Sequence, residues 1–259
     1  MNATLSVILP IQHAPDSLPT QVQDYLRVMP RHCADFEIIL VNDGGDPATT
    51  AVLNELATRH DPVLVLHLAE PRGYGQALLY GMAYARGDYL LAGASPSDVH
   101  PAELDRLIPF SEHHVLVAAY RLEHVHSRQP VPARLLRGWI NRILGLELRD
   151  PTCCLTLLHA DLLHDLPLTA SDLLIHTELY ARTHRQQACL QVGVHASQLV
   201  PPTPYTQITP ATFAAVVALW LDLHGLTPSA VQRRLAFLLG VAALVRIGQI
   251  VWRRQRLLL

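Results

Sequence analysis

The sequence predicts an α/β fold: a mostly parallel sheet with helices on both faces, followed by a helical carboxyl-terminal extension. Three observations lead there. Short, near-continuous apolar runs recur at residues 5–10, 36–41, 63–68, 89–92 and 115–119. Helix-like stretches at 17–28, 47–59 and 75–85 separate the first four. The 259-residue chain is 50% apolar and only 16% charged, enough to bury a sizeable core and too apolar for disorder. Strands alternating with helices at this spacing call for parallel pairing, and strands apolar on both sides call for a sheet covered on both faces.

Taken in order, the first run ends at Pro10. It lacks the basic leader and long apolar stretch of a signal peptide, so it reads as a buried strand of a protein that stays in the cytoplasm. The second run leads into Asn42, Asp43, Gly44 and Gly45, a composition that by itself spells a turn. The third leads into Arg72, Gly73, Tyr74 and Gly75, the fourth into residues 93–98, and the fifth stops short of Arg121. Ligands of such sheets gather beyond the carboxyl ends of the strands. The residues of interest are therefore 12–16, 42–46, 70–75 and 93–98.

The second half offers helices at 134–146, 160–166 and 173–184. Pro201, Pro202, Pro204 and Pro210 mark a linker over 201–210. It separates a domain of residues 1–200 from an extension of residues 211–259. Within the extension, 235–252 is mostly apolar but broken by Arg246 and Gln249. Arg233 and Arg234 flank one end; Arg253, Arg254 and Arg256 flank the other. Two readings stay open: a helix lying at a membrane surface, or one packing on the domain or on a second copy as a homodimer.

Composition narrows the chemistry. All 20 basic residues are Arg, which excludes a Schiff-base or phosphate-loop lysine. A net charge of −2 argues against a nucleic-acid partner. Cys33, Cys153, Cys154 and Cys189 lack metal-ligand spacing and suit a reducing compartment. The 15 His are scattered. A mean hydropathy of +0.20 keeps membrane contact open.

Several segments resemble family 2 glycosyltransferases, above all the polyprenyl-phosphate sugar synthases related to dolichyl-phosphate mannose synthase. They are LSVILP at 5–10, EIILVNDG at 37–44, RGYG at 72–75 with Gly81, ARGDY at 85–89, AYR at 119–121 and RDPTC at 149–153. Each is weak alone; the order and spacing over roughly residues 4–200 carry the likeness. The resemblance implies a GT-A type fold and an inverting transfer of sugar from a UDP- or GDP-linked nucleotide-sugar to a polyprenyl phosphate, on the inner face of a membrane. It assigns nucleotide binding to Pro10, Asn42, Asp43, Gly44, Arg72 and Gly75, with Asp43 accepting from a base N–H. Catalytic positions fall on Asp98, Arg121 and Asp150. The acceptor phosphate falls to Arg121, Arg134 and Arg137, whose guanidinium forks match it. An anionic acceptor needs no general base. Glu178 reads either as a base for a hydroxyl acceptor or as an ordinary helix position.

The sequence departs from that family at its metal motif. The Asp-x-Asp that holds Mg²⁺ or Mn²⁺ is replaced by Ala94, Ser95 and Pro96. Asp98, with His100 nearby, remains as a single weak metal candidate or as the cap of a helix near Pro101. The cofactor is thus left unknown. Arg72, Arg121 and Arg128 are the charges available to stabilise a leaving diphosphate. The competing reading is a pseudo-glycosyltransferase that binds or scaffolds without catalysis.

Overall fold

The computed structural model describes residues 3–93, 100–122, 131–195 apart from 152, 171, 173, 186 and 187, and 210–225. Residues 1–215 form one compact unit and 216–259 a second. Among the described residues the first holds seven strands: β1 (Leu5–Ile11), β2 (Phe36–Asp43), β3 (Val63–Leu68), β4 (Tyr89–Gly93), β5 (Leu116–Arg121), β6 (Leu155–His159) and β7 (Cys189–Val194). The described helices are α1 (Leu18–Val28), α2 (Pro47–Arg59), α3 (Tyr74–Tyr84), the single turn α4 (Leu104–Leu107), α5 (Val131–Leu144), the single turn α6 (Leu162–Asp165), α7 (Leu174–His184) and α8 (Pro210–Leu223).

The strand order is β3-β2-β1-β4-β6-β5-β7. The first four pair in parallel, β6 runs antiparallel to both β4 and β5, and β7 pairs in parallel with β5. One reversed strand makes the sheet mixed, and β6 and β7 were not among the expected strands. The carboxyl ends of β1, β2, β4 and β5 share one rim. The order turns back between β1 and β4, the switch point where such sheets open a crevice.

The sequence explains the helix sites. Asp46 caps α2, its carboxylate accepting from the Thr49 N–H at 2.7 Å, and Pro47 takes the first turn, where no donor is needed. The helix then covers the residues its pattern predicts. α3 starts from Gly73 at φ 87°, a conformation that favours glycine. Gly81 lets α3 lie against the sheet: a Cβ there would stand 2.5 Å from Ile8 and 2.7 Å from Val41.

Other features refine the expectations. β1 runs through Pro10 to Ile11, opposite Asn42, while its β4 pairing stops at Ile8. β5 extends to Arg121, which places that residue within the strand. β3 is an edge strand with Leu64 40% exposed, so cover on both faces fails there. At the amino-terminal rim, Ser6 and both the backbone and side chain of Arg86 donate to the buried Glu37 carboxylate. Burial works to raise the Glu37 pKa, but those hydrogen bonds and the Arg86 charge leave it lowered. The ARGDY motif thus ties β4 to β1 and β2.

Among the described residues no helix is long and apolar enough to cross a membrane. The 235–252 segment and the linker up to residue 209 lie outside them.

Candidate functional site at the sheet rim

Three loops meet beyond β1, β2 and β3. Asp43 ends β2 fully buried, and its two oxygens accept the backbone N–H groups of Arg72 (2.6 Å) and Gly73 (3.1 Å). The loop after β3 is thereby clamped onto the end of β2. Gly44, at φ 65°, makes this approach possible: a Cβ would stand 2.5 Å from the Pro71 nitrogen. Asn42 folds the turn, its amide oxygen accepting from Gly45 N–H at 2.8 Å and its amide nitrogen reaching Thr50 and His67. The loop after β1 joins through Ala14 N–H, which donates to the Thr49 hydroxyl at 3.1 Å.

The expected nucleotide residues therefore do come together. Pro10 lies buried in β1, Asn42 and Asp43 end β2, Gly44 makes the turn, and Gly75 is buried in the first turn of α3. The Arg72 side chain is exposed while its backbone holds Asp43. The Asp43 carboxylate is engaged by loop amides, a role that spacing alone did not reveal.

Asp98, together with Ala94, Ser95 and Pro96, lies outside the described residues, as does Arg128. His100, a suggested metal ligand, instead caps the short turn at Pro101–Glu103, its Nδ1 accepting from Ala102 N–H at 3.1 Å. Its Nε2 lies 3.2 Å from Asp24. Both ring nitrogens are thus occupied, and the cap sits two residues after the Asp98 expected there. Among the described residues no three His, Cys, Asp or Glu side chains stand close enough to hold a metal. In the sequence, Ala94, Ser95 and Pro96 supply no carboxylate. Among the described residues no donor set fits the divalent ion of the Asp-x-Asp motif.

Across the rim, β5 ends in a buried ion pair. Arg121 Nε donates to Asp150 Oδ2 at 2.7 Å and Nη2 to Oδ1 at 3.1 Å, with the side chains 9% and 2% exposed. The bidentate pairing commits the guanidinium to the carboxylate. Arg134 falls in α5, its side chain outside what is described. Arg137 Nη1 donates to the backbone oxygen of Arg149 at 3.2 Å. Glu178 is neither a free base nor an ordinary helix position. It is buried, accepts two bonds from Arg182, and takes the N–H groups of Thr169 and Ala170.

Two features escaped the sequence. The first is a buried chain joining both sides of the rim: Tyr74 Oη lies 2.8 Å from His176 Nε2, and Thr156 Oγ1 lies 2.9 Å from His176 Nδ1. Burial pushes the His176 pKa down to about 3, so the ring is neutral, one nitrogen donating and the other accepting. Nothing in sequence links residues so far apart. The second is Arg149, whose guanidinium carbon lies 4.9 Å from the Tyr120 ring centre. Its place in the RDPTC motif was a signal left unread.

Comparison with known proteins gives a family resemblance. Residues 6–123 match the model of "Glycosyl transferase family 2". The chain is similar to the undecaprenyl-phosphate 4-deoxy-4-formamido-L-arabinose transferase of Edwardsiella ictaluri, 27% identical over 155 residues covering 58% of this chain and 47% of the relative. It is 29% identical over 159 residues to the Pseudomonas aeruginosa protein of that name, covering 58% and 45%. The match thus spans about half the length of these relatives. Among solved structures, glucosyl-3-phosphoglycerate synthase from Mycobacterium tuberculosis with phosphoglyceric acid superposes with a TM-score of 0.66 at 20% identity, covering 88% of this chain and 82% of that one. The same synthase with Mn²⁺, UDP-glucose and phosphoglyceric acid gives 0.63 at 21%, with the same coverage. These likenesses speak for the fold. Residues 6–123 thus resemble glycosyl transferase family 2, and the sheet on which they lie is of the GT-A type.

Proposed function

We propose that the protein transfers a sugar from a UDP- or GDP-linked nucleotide-sugar to a polyprenyl phosphate with inversion at the anomeric carbon. One observation carries the reading: the loop after β3 is clamped onto Asp43 and the loop after β1 onto Thr49 of α2, on the same rim where β5 ends in Arg121. Relatives named as undecaprenyl-phosphate sugar transferases support the acceptor class.

In this reading the nucleotide lies over the clamped loops, and the lipid phosphate approaches from the β5 side. A phosphate oxygen attacks the anomeric carbon as the bond to the nucleoside diphosphate breaks. The bonding electrons leave with the diphosphate, and no proton has to be removed from the nucleophile. Charge on the leaving group is met by Arg72 from the loop after β3. Arg134 and Arg137 draw in the acceptor. In the sequence Asp98 stands two residues beyond the place of the family's metal motif, where one carboxylate is a weak anchor. The protein works at the inner face of a membrane, with the extension of residues 211–259 at the lipid surface or pairing with a second copy.

The test incubates the purified protein with radiolabelled UDP- and GDP-sugars and polyprenyl phosphate, with and without Mn²⁺, beside a relative that keeps the Asp-x-Asp motif. Label in the lipid fraction is expected. If the relative yields product and this protein yields none with any donor, the transfer reading fails and the non-catalytic one takes its place.

A further inference from the structure

Among the described residues, the β5 end of the rim carries two guanidinium groups that pair with no carboxylate. Arg121 is spent on Asp150. Arg137 and Arg149 meet where Arg137 Nη1 bonds the Arg149 backbone oxygen, and among the described residues neither forms an ion pair with Asp or Glu. Like charges gathered on one edge repel, and a bound anion converts that repulsion into attraction.

The Arg149 position is built rather than incidental. Its Nη1 donates to Tyr120 Oη at 2.7 Å, and its guanidinium lies over the same ring. Gly193 on β7 makes room for that ring, since a Cβ there would stand 3.1 Å from it and 2.6 Å from Leu122. The backbone is fixed as well. Gln191 accepts from Arg149 N–H at 2.9 Å and donates to the Glu147 carbonyl at 3.0 Å, fastening the loop to β7. Asn141 holds the same loop to α5 through both the N–H and the carbonyl of Leu148. Its nearest carboxylates in sequence are Asp150, consumed by Arg121, and Glu147, which is exposed and unpaired among the described residues.

We propose that Arg149, seated on Tyr120 and flanked by Arg137, holds a phosphate monoester borne by a lipid, and that Arg121 is a positioning residue that fixes Asp150 and so the Arg149 loop. The inference rests on the acceptor side of the reading above. A phosphate monoester carries a charge of about −1.5 to −2 near neutral pH, close to the sum of two guanidinium groups. Arg149 keeps donors free after its bond to Tyr120, which suits bidentate capture.

The experiment titrates the full-length protein by calorimetry with citronellyl phosphate, a soluble isoprenyl phosphate, and in parallel with citronellol and inorganic phosphate. Arg149→Gln is expected to weaken citronellyl phosphate at least tenfold, Arg149→Lys to recover part of the loss, and GDP or UDP binding to stay unchanged in both. Arg149 is exposed, so these variants should fold and unfold close to the wild-type temperature, with a small loss from the Tyr120 contacts. Tyr120→Phe, which keeps the ring and removes the hydroxyl, is expected to weaken binding less than Arg149→Gln. Unchanged affinity in Arg149→Gln would overturn the assignment, as would equal affinity for citronellol. Equal affinity for inorganic phosphate would overturn the lipid source. No sugar transfer is needed for these measurements. An Arg149-dependent phosphate site in a protein that transfers nothing would count against the enzyme alone; transfer without Arg149 dependence would count against this site alone.

Discussion

On the β2 side of the rim the buried carboxylate of Asp43 is met by two backbone N–H groups of a loop; on the β5 side that of Asp150 is met by the guanidinium of Arg121 as well as its backbone N–H. The two solutions differ in kind. Backbone amides are neutral dipoles belonging to a loop, and they hold Asp43 only while that loop stays docked. A guanidinium carries a full charge fixed within a strand, and it travels with the carboxylate it neutralises. The first arrangement makes a loop's position depend on a carboxylate. The second anchors the loop before Asp150 to the end of β5.

The difference predicts unequal costs of disruption. Arg121→Met removes the guanidinium that pairs with the buried Asp150 and should destabilise the fold by about 3–5 kcal/mol. Asp43→Asn retains shape but turns an amide N–H toward a backbone donor, and should cost about 1–3 kcal/mol. Urea unfolding of the two variants checks the order. Replacing both Arg121 by Met and Asp150 by Leu should recover much of the first loss, because a well-packed apolar pair needs no charge compensation. If Asp43→Asn proves the more damaging, the contrast between a loop clamp and a fixed ion pair is wrong.

Much of this architecture was legible in the sequence, and the illegible part has a physical pattern. α2 is readable because its signals are local: Asp46 caps it and Pro47 starts it. β1, β2 and β4 are readable because buried parallel strands are apolar throughout. β7 is not, since Gln191 and Gly193 interrupt its apolar pattern for reasons that lie in the Arg149 loop and the Tyr120 ring. The pairing of Arg121 with Asp150 was half visible, because both residues stand in motifs. The backbone amides of Arg72 and Gly73 that Asp43 accepts from are groups any sequence supplies. The contact of Tyr74 with His176 spans 102 residues and has no signature at all.

That contact permits a second test, since it joins the helix that follows the Asp43 clamp to the helix behind the ion pair. His176 is neutral in the fold, with a pKa held near 3 by burial against about 6.5 when exposed. Between those values the unfolded chain binds the extra proton. The stabilising contribution is therefore complete above about pH 6.5 and declines as pH falls toward 3, by roughly 1.4 kcal/mol per pH unit from this group. Urea midpoints at pH 7.5 and 5.0 should fall together for probes on both sides of the rim, and less steeply in His176→Gln. Separate transitions would mean that the bridge does not couple them.

The smallest expected effect compares the two sides at their helix starts. Asp46 accepts from Thr49 N–H at the head of α2, and Asp172 accepts from Leu174 N–H at 3.0 Å at the head of α7. Each bond satisfies a donor that the helix cannot, so Asp46→Ala and Asp172→Ala should each cost about 1 kcal/mol. Their consequences should nevertheless diverge. Thr49 also holds the loop after β1 through Ala14, so loosening the α2 cap disturbs two of the three loops around Asp43. Asp46→Ala should therefore weaken UDP or GDP binding by calorimetry, while Asp172→Ala, at equal cost in stability, should leave it unchanged. Equal binding in the two variants would show that the loops keep their geometry without the cap, and would leave Asp43 as the sole clamp at that end of the sheet.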